Sequence, residues 1–214
     1  QSLKEMREML RLVQLGLTVG YEAFKDKNYK KQIRVTNIET AIDNLQREVT
    51  LYLVALNERT NYESVARRIP ALLHTVNDIE KLGDYMEEVN RILNYQISVQ
   101  KEPLSEEYCA MISDLHTKIT FMMDLGIDYL QEFKEDYSYK IVEMEGRINE
   151  QYKYLRNRIL TEIQNGECEP AGGLNTIDYL DQVELIADKM KNLVKAGSHR
   201  FVYPNMVAFT KKSD

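Results

Sequence analysis

Glycine and proline are scarce in this chain, nine Gly and four Pro among 214 residues. Turn-rich folds need many of both, so few reversals are available. Cysteine is limited to Cys109 and Cys168, far apart and without C-x-x-C spacing. Neither a zinc finger nor a dithiol redox motif can be built from them, and they read as reduced thiols of a cytosolic protein. No apolar run approaches the roughly 20 residues that span a bilayer. An opening that contains Lys4, Glu5, Arg7 and Glu8 does not make a signal peptide. The net charge of −6 argues against nucleic acid as the main partner, because phosphate binding wants clustered Lys and Arg. Lys25, Lys27, Lys30, Lys31 and Arg34 do gather, but Asp26 interrupts them and they read as a solvated helix end.

Catalytic signatures are missing as well. There is no Gly-rich phosphate loop, G-x-S-x-G, H-E-x-x-H or EF-hand loop, and nothing pairs a nucleophile with a base. Hydrolytic and group-transfer chemistry therefore have no support. His116 and His199 are isolated. His74 precedes Asp78 by one helical turn, a spacing that can ligate metal, yet both fall on the far side of their helix from the acid pair described next.

What the chain does have is helical periodicity. Val76, Ile79, Leu82, Met86, Val89 and Leu93 recur every three or four positions and form the apolar stripe of an amphipathic helix. Glu80 and Asp84 lie one turn apart on its flank. Ile177, Leu180, Val183, Ala187, Met190 and Val194 form a second such stripe, with Glu184 and Asp188 at the same offset from it. Both acids recur after 104 positions. An earlier helix in each half repeats the arrangement after 106 positions: Glu39 and Asp43 beside Ile38, Ile42, Leu45, Val49, Tyr52 and Leu56, then Glu145 and Asn149 beside Ile141, Met144, Ile148, Tyr152 and Leu155. Such self-similarity marks a tandem duplication.

The predicted helices cover about 3–24, 31–56, 62–99, 105–133, 136–164 and 174–195. Asn61 is the expected cap and Pro70 the expected kink of the third, Pro103 closes the first half, Gly166 to Gly173 is the clearest loop, and Gly197 ends the sixth helix. The fold class is all-α, a tandem repeat of two three-helix bundles in a six-helix array. Its units are residues 1–102 and 103–197, followed by a tail, 198–214.

Like charges one turn apart on a helix repel by a few tenths of a kcal/mol, so the pairs call for a cation. Two helices that each present such a pair surround a metal with four oxygen donors, a set that suits hard or borderline cations. Gly83 and Ala187, one residue before each aspartate, are small enough to let a neighbouring helix approach. A solvated acidic flank on a plain helical adaptor would account for the same residues without metal. A carboxylate-bridged di-metal enzyme would normally add a Glu-x-x-His spacing, which this chain lacks.

Asp78-Ile-Glu80-Lys81-Leu82-Gly83-Asp84 resembles the D-L-E-R-I-G-D signature of PhoU proteins, and Gln182-Val-Glu184-Leu-Ile-Ala187-Asp188 resembles its second copy. The resemblance covers essentially the whole chain. It implies a regulator of phosphate uptake and phosphate signalling, without catalysis, and in some members a multinuclear iron or zinc cluster. It further implies one metal site at Glu39, Asp43, Glu80 and Asp84, and another at Glu145, Glu184 and Asp188. The second departs from the pattern: Asn149 replaces an aspartate and Gln182 stands where Asp78 stands in the first, so that cluster is expected to be weaker or absent. The opening Met6-Arg-Glu-Met9-Leu-Arg-Leu-Val lacks the Met-Gly pair of free-standing members and looks more like the PhoU domain at the C-terminus of sodium/phosphate cotransporters. A start on Gln1 agrees with a fragment. The implied partner is a membrane phosphate transporter, in cis or in trans, and the implied location is the cytoplasmic face of the cell membrane. The alternative is a free-standing regulator of the ABC phosphate transporter and its sensor kinase. The 14 tyrosines suit helix–helix association, including a homodimer.

Overall fold

The computed structural model describes residues 2–98 and 105–198. In chain order the helices are α1 (Ser2–Lys25), α2 (Gln32–Arg59), the one-turn α3 (Glu63–Ala66), α4 (Ile69–Ser98), α5 (Glu106–Glu132), α6 (Glu135–Gln164) and α7 (Pro170–Ser198), with a 3-10 turn at Tyr29–Lys31 before α2. The described residues contain no strand, so the all-α reading holds.

The boundaries differ from expectation where proline and glycine sit. The third segment is not one kinked helix: a single turn, α3, precedes α4, and Pro70 is the second residue of α4. First-turn N–H groups have no intrahelical partner, so proline's missing donor costs little there, and the interruption falls just before it, at Arg67 and Arg68. The residue before α3 is Tyr62 rather than Asn61, and its side chain makes no capping hydrogen bond. The loop expected over Gly166 to Gly173 is shorter, because Pro170 opens α7 and the Glu169 carboxylate accepts from Gly172 N–H at 2.7 Å. Gly197 does not end α7, which continues to Ser198. Ser105 caps α5, its Oγ accepting from Tyr108 N–H at 3.2 Å. Pro103 and nearly all of the 198–214 tail lie outside the described residues.

Four helices make the centre: α1 packs on α4 and α5, and α7 packs on α4 and α5. The other two long helices lie outside this centre, α2 against α1 and α4, α6 against α5 and α7. The stripes read from the sequence are the faces that meet. Val76, Ile79, Leu82 and Met86 of α4 and Leu180, Val183, Met190 and Val194 of α7 are all essentially inaccessible, each such side chain contributing about 2 kcal/mol by leaving water. One continuous cluster runs from Met6 to Val194, so the halves share their core. Across the centre Gln14 Nε2 donates to Asp124 Oδ1 at 2.6 Å, and Asn175 Nδ2 donates to Gln96 Oε1 at 2.9 Å. An ion pair between α4 and α7 joins Asp78 Oδ1 to Lys189 Nζ at 2.8 Å, with His74 Nδ1 3.1 Å from Asp78 Oδ2.

Candidate functional site

Each acid flank lies where an outer helix meets a central one. In the first half these are α2, which carries Glu39 and Asp43, and α4, which carries Glu80 and Asp84. Ile38, Ile42 and Val49 anchor α2 by their buried side chains, and this fixes the face on which the acids stand. Gly83 performs the spacing role expected of it: a Cβ there would lie 3.2 Å from two carbons of Ile42, tighter than ordinary contact. The helices approach over Gly83, and the acids at either side come with them.

The carboxylates of the first half feel one another. Glu39 is pushed up to about 7, first by burial and then by the neighbouring Asp43 carboxylate, through its charge and through the hydrogen bond a protonated Glu39 could make to it, and Glu87 and Asp84 act in the same sense. Burial also raises Glu80, with Asp84 and Asp43 adding to the effect, and it raises Asp84, with Asp43 adding. Lys81 opposes both of these shifts weakly. Among the described residues no ion pair neutralises Glu39, Asp43, Glu80, Asp84 or Glu87. Nor do three or more His, Cys, Asp or Glu side chains converge as a ready-made metal shell among them. Glu39, Asp43 and Glu80 are half-buried and Asp84 is exposed. The donor set is chemically suited to a hard or borderline cation, and its side chains would have to turn inward to close on one.

The second half is built differently. Glu145 of α6 is buried, and Glu184 and Asp188 of α7 are half-buried. Lys191 Nζ stands 2.8 Å from Glu145 Oε1 and 3.9 Å from Asp188 Oδ1. Asn192 Nδ2 donates to Asp188 Oδ2 at 3.0 Å. Burial raises Glu184 as it raises Glu80, Asp188 and Glu145 adding to the effect while Lys191 opposes it. Asn149, half-buried one turn after Glu145 on α6, brings a neutral amide where the first half has Asp43.

Lys191 and Asp78 are the residues that sequence reasoning underuses. Lys191 follows Glu87 by 104 positions, so extending the repeat alignment one turn past each aspartate pairs an acid with a base. Asp78, on the far side of its helix from the acid pair, is buried and holds Lys189, whose counterpart in the first half is Tyr85.

An all-helical bundle with a carboxylate flank where an outer helix meets a central one in each half is the class that fold and site define. Residues 6–93 match the family model described as the PhoU domain. The chain has the PhoU fold over nearly its whole length. Among solved structures it is similar to PhoU from Pseudomonas aeruginosa, at 19% identity and a TM-score of 0.83, over 93% of this chain and 95% of that one. It is similar to the phosphate transport system regulatory protein PhoU from Streptococcus pneumoniae, at 17% identity and a TM-score of 0.76, over 89% and 88% of the two chains. A PhoU-like protein from Shewanella oneidensis is 14% identical, with a TM-score of 0.72, over 94% and 99%. No curated protein matches the chain. No helix among the described residues is long and apolar enough to cross a membrane.

Proposed function

We propose that this chain is a non-catalytic regulatory domain of phosphate uptake that acts on a membrane phosphate transporter from its cytoplasmic face. The observation that carries this reading is the PhoU-domain match at 6–93, set within a fold shared with a phosphate transport system regulatory protein. The missing Met-Gly pair in the opening helix supports a domain covalently attached to a sodium/phosphate cotransporter. A free-standing regulator of an ABC phosphate transporter is the second reading. It is favoured by the near-complete overlap with the Pseudomonas aeruginosa PhoU chain, 95% of which is covered. The sequence upstream of Gln1 separates the two: several long apolar spans make it a transporter domain, a start codon makes it a separate regulator. Regulation itself is tested by phosphate uptake in cells lacking the domain. Uptake should no longer respond to external phosphate; an unchanged response would remove the reading.

Metal binding in the first half belongs to the same proposal. Glu39, Asp43, Glu80 and Asp84 would hold the cation, iron or zinc in kind, and its chemistry there would be charge neutralisation across the α2–α4 flank rather than catalysis. The support is the mutual repulsion of these carboxylates with no ion pair among the described residues to relieve it. The check is elemental analysis of the purified chain, with melting curves in chelator and in added iron, zinc, manganese or nickel. A metal that binds only the folded state raises the melting temperature by mass action. Curves that do not move, on a protein without metal, would return these acids to a solvated flank.

A further inference from the structure

In the second half an ammonium group stands between two acids and near a third. Lys191 is bonded to Glu145 at 2.8 Å, lies 3.9 Å from Asp188, and has Glu184 within its field. Glu145 is 8% exposed, and a carboxylate that deep is costly without a partner. The Asp188 oxygen turned away from Lys191 already accepts from Asn192. Counted formally, Glu145, Glu184, Asp188 and Lys191 leave two negative charges, whereas Glu39, Asp43, Glu80, Asp84 and Glu87 leave five. The reversal at the 87/191 pair accounts for two units of that difference and Asn149 for a third.

We propose that Lys191 is the resident cation of the second acid group, a tethered ammonium standing where a metal would otherwise stand, and that this half is thereby closed to metal. The metal comparison rests on the reading of the first half given above; the role of Lys191 in the metal-free protein does not. An arriving dication would have to displace a group that is covalently held at the site, and so present at high effective concentration. It would also strand a partly buried ammonium from its partner. The chain therefore has one acid group that is open and one that is self-neutralised.

The test uses the full chain and manganese(II), an oxygen-preferring probe whose free form is counted by electron paramagnetic resonance. In chelator, Lys191→Met should lower Tm by roughly 3–8 °C, Lys191→Arg should stay near wild type, and Glu87→Lys should raise Tm. With manganese, the Glu80→Gln/Asp84→Asn double variant should bind none while Lys191 is present. Adding Lys191→Glu to that double variant should create binding and restore the Tm lost in chelator. Glu87→Lys alone should weaken binding at the first half at least tenfold. The proposal is overturned if Lys191→Met leaves Tm unchanged in chelator. It is equally overturned if the Glu80→Gln/Asp84→Asn protein binds manganese through Glu184 and Asp188 with Lys191 intact. Should wild type bind no manganese at all, the metal reading of the first half falls, and the chelator series alone decides the role of Lys191.

Discussion

On α2 and α4 the carboxylates of Glu39, Asp43, Glu80 and Asp84 share a flank with no ion pair among the described residues to neutralise them, whereas on α6 and α7 Lys191 reaches Glu145 at 2.8 Å and Asn192 serves Asp188. The same pair of helices, in the same register, thus carries an unrelieved charge in one half and a relieved one in the other. Repulsion left in a folded protein lowers its stability and would be recovered if a cation bound, so on the reading proposed above the first half is the one whose stability a ligand would change. The second half, with Lys191 already in place, would give up that response for stability of its own.

The halves diverge elsewhere too, and each divergence offers a way to break or sharpen the comparison. The largest effect is expected at Gly20, whose repeat counterpart is Gly126. A Cβ on Gly20 would fall 1.1 Å from Asn90 Oδ1, and the Asn90 amide is itself held by donating to the Met86 carbonyl at 2.7 Å. At Gly126 the nearest atom is the flexible tip of Met190, 2.3 Å away. Gly20→Ala should therefore cost about 3 kcal/mol in urea denaturation and Gly126→Ala less than about 1. Equal losses would mean that the α1–α4 and α5–α7 contacts yield alike.

Next in size is Asp78→Ala, which leaves the partly buried Lys189 ammonium without its partner and should cost about 2 kcal/mol. Its repeat counterpart Gln182 is half-buried and uncharged, so Gln182→Ala should cost well under about 1 kcal/mol. Denaturation midpoints of the two variants compare them directly.

His116 stands where the first half has Leu10, buried and stacked on Tyr21 with ring centroids 4.1 Å apart. Burial pushes the imidazole down to about 4 from an ordinary 6.5. Between those values the unfolded chain binds the proton and the folded one does not, so stability is full above about pH 6.5 and is lost as pH falls toward 4. His116→Leu should remove up to about 3 kcal/mol of that acid-dependent loss. Parallel pH–stability curves for the variant and the wild type would show that the imidazole is not the source.

The smallest effects lie in the acid groups themselves. In chelator, Asp84→Asn should be neutral or stabilising by a few tenths of a kcal/mol because it relieves repulsion. Asp188→Asn should be destabilising by a similar amount because it weakens a site already neutralised by Lys191. In a binding metal the order reverses, with Asp84→Asn losing most of the metal-dependent gain in Tm. Identical responses would put the two halves back on one footing.

Much of this architecture is legible in the amino-acid sequence. Every residue of the α4 and α7 stripes is buried, although the stripes leave out Ile92, Tyr179, Ile186 and Leu193 and the buried polar Thr75 and Asn90, and the offset of 104 positions survives in Glu80, Gly83 and Asp84 against Glu184, Ala187 and Asp188. Pro70, read as a kink within a helix, and Pro170, read as part of a loop, mislead for a common reason: each sits in the first turn of a helix, where it removes a donor that had no acceptor. Lys189 and Lys191 escape a reading of the sequence because lysines on an amphipathic helix ordinarily face water. Only three-dimensional packing brings Asp78 of α4 and Glu145 of α6 within 2.8 Å of them.

The close approach at Gly20 bears on which parts of this molecule can move. A one-residue slip of α1 along α4 is about 1.5 Å, and it would carry a side-chain-bearing position onto the Asn90 amide that now occupies the hollow over Gly20. The pair behaves as a peg in a notch, with no second setting nearby. At the α2–α4 seam, by contrast, the approach at Gly83 is 3.2 Å and is made by the branched tip of Ile42. Any signal that begins with charge gathered on the flank would therefore be written in the tilt or translation of α2, against a central helix pair that keeps its register.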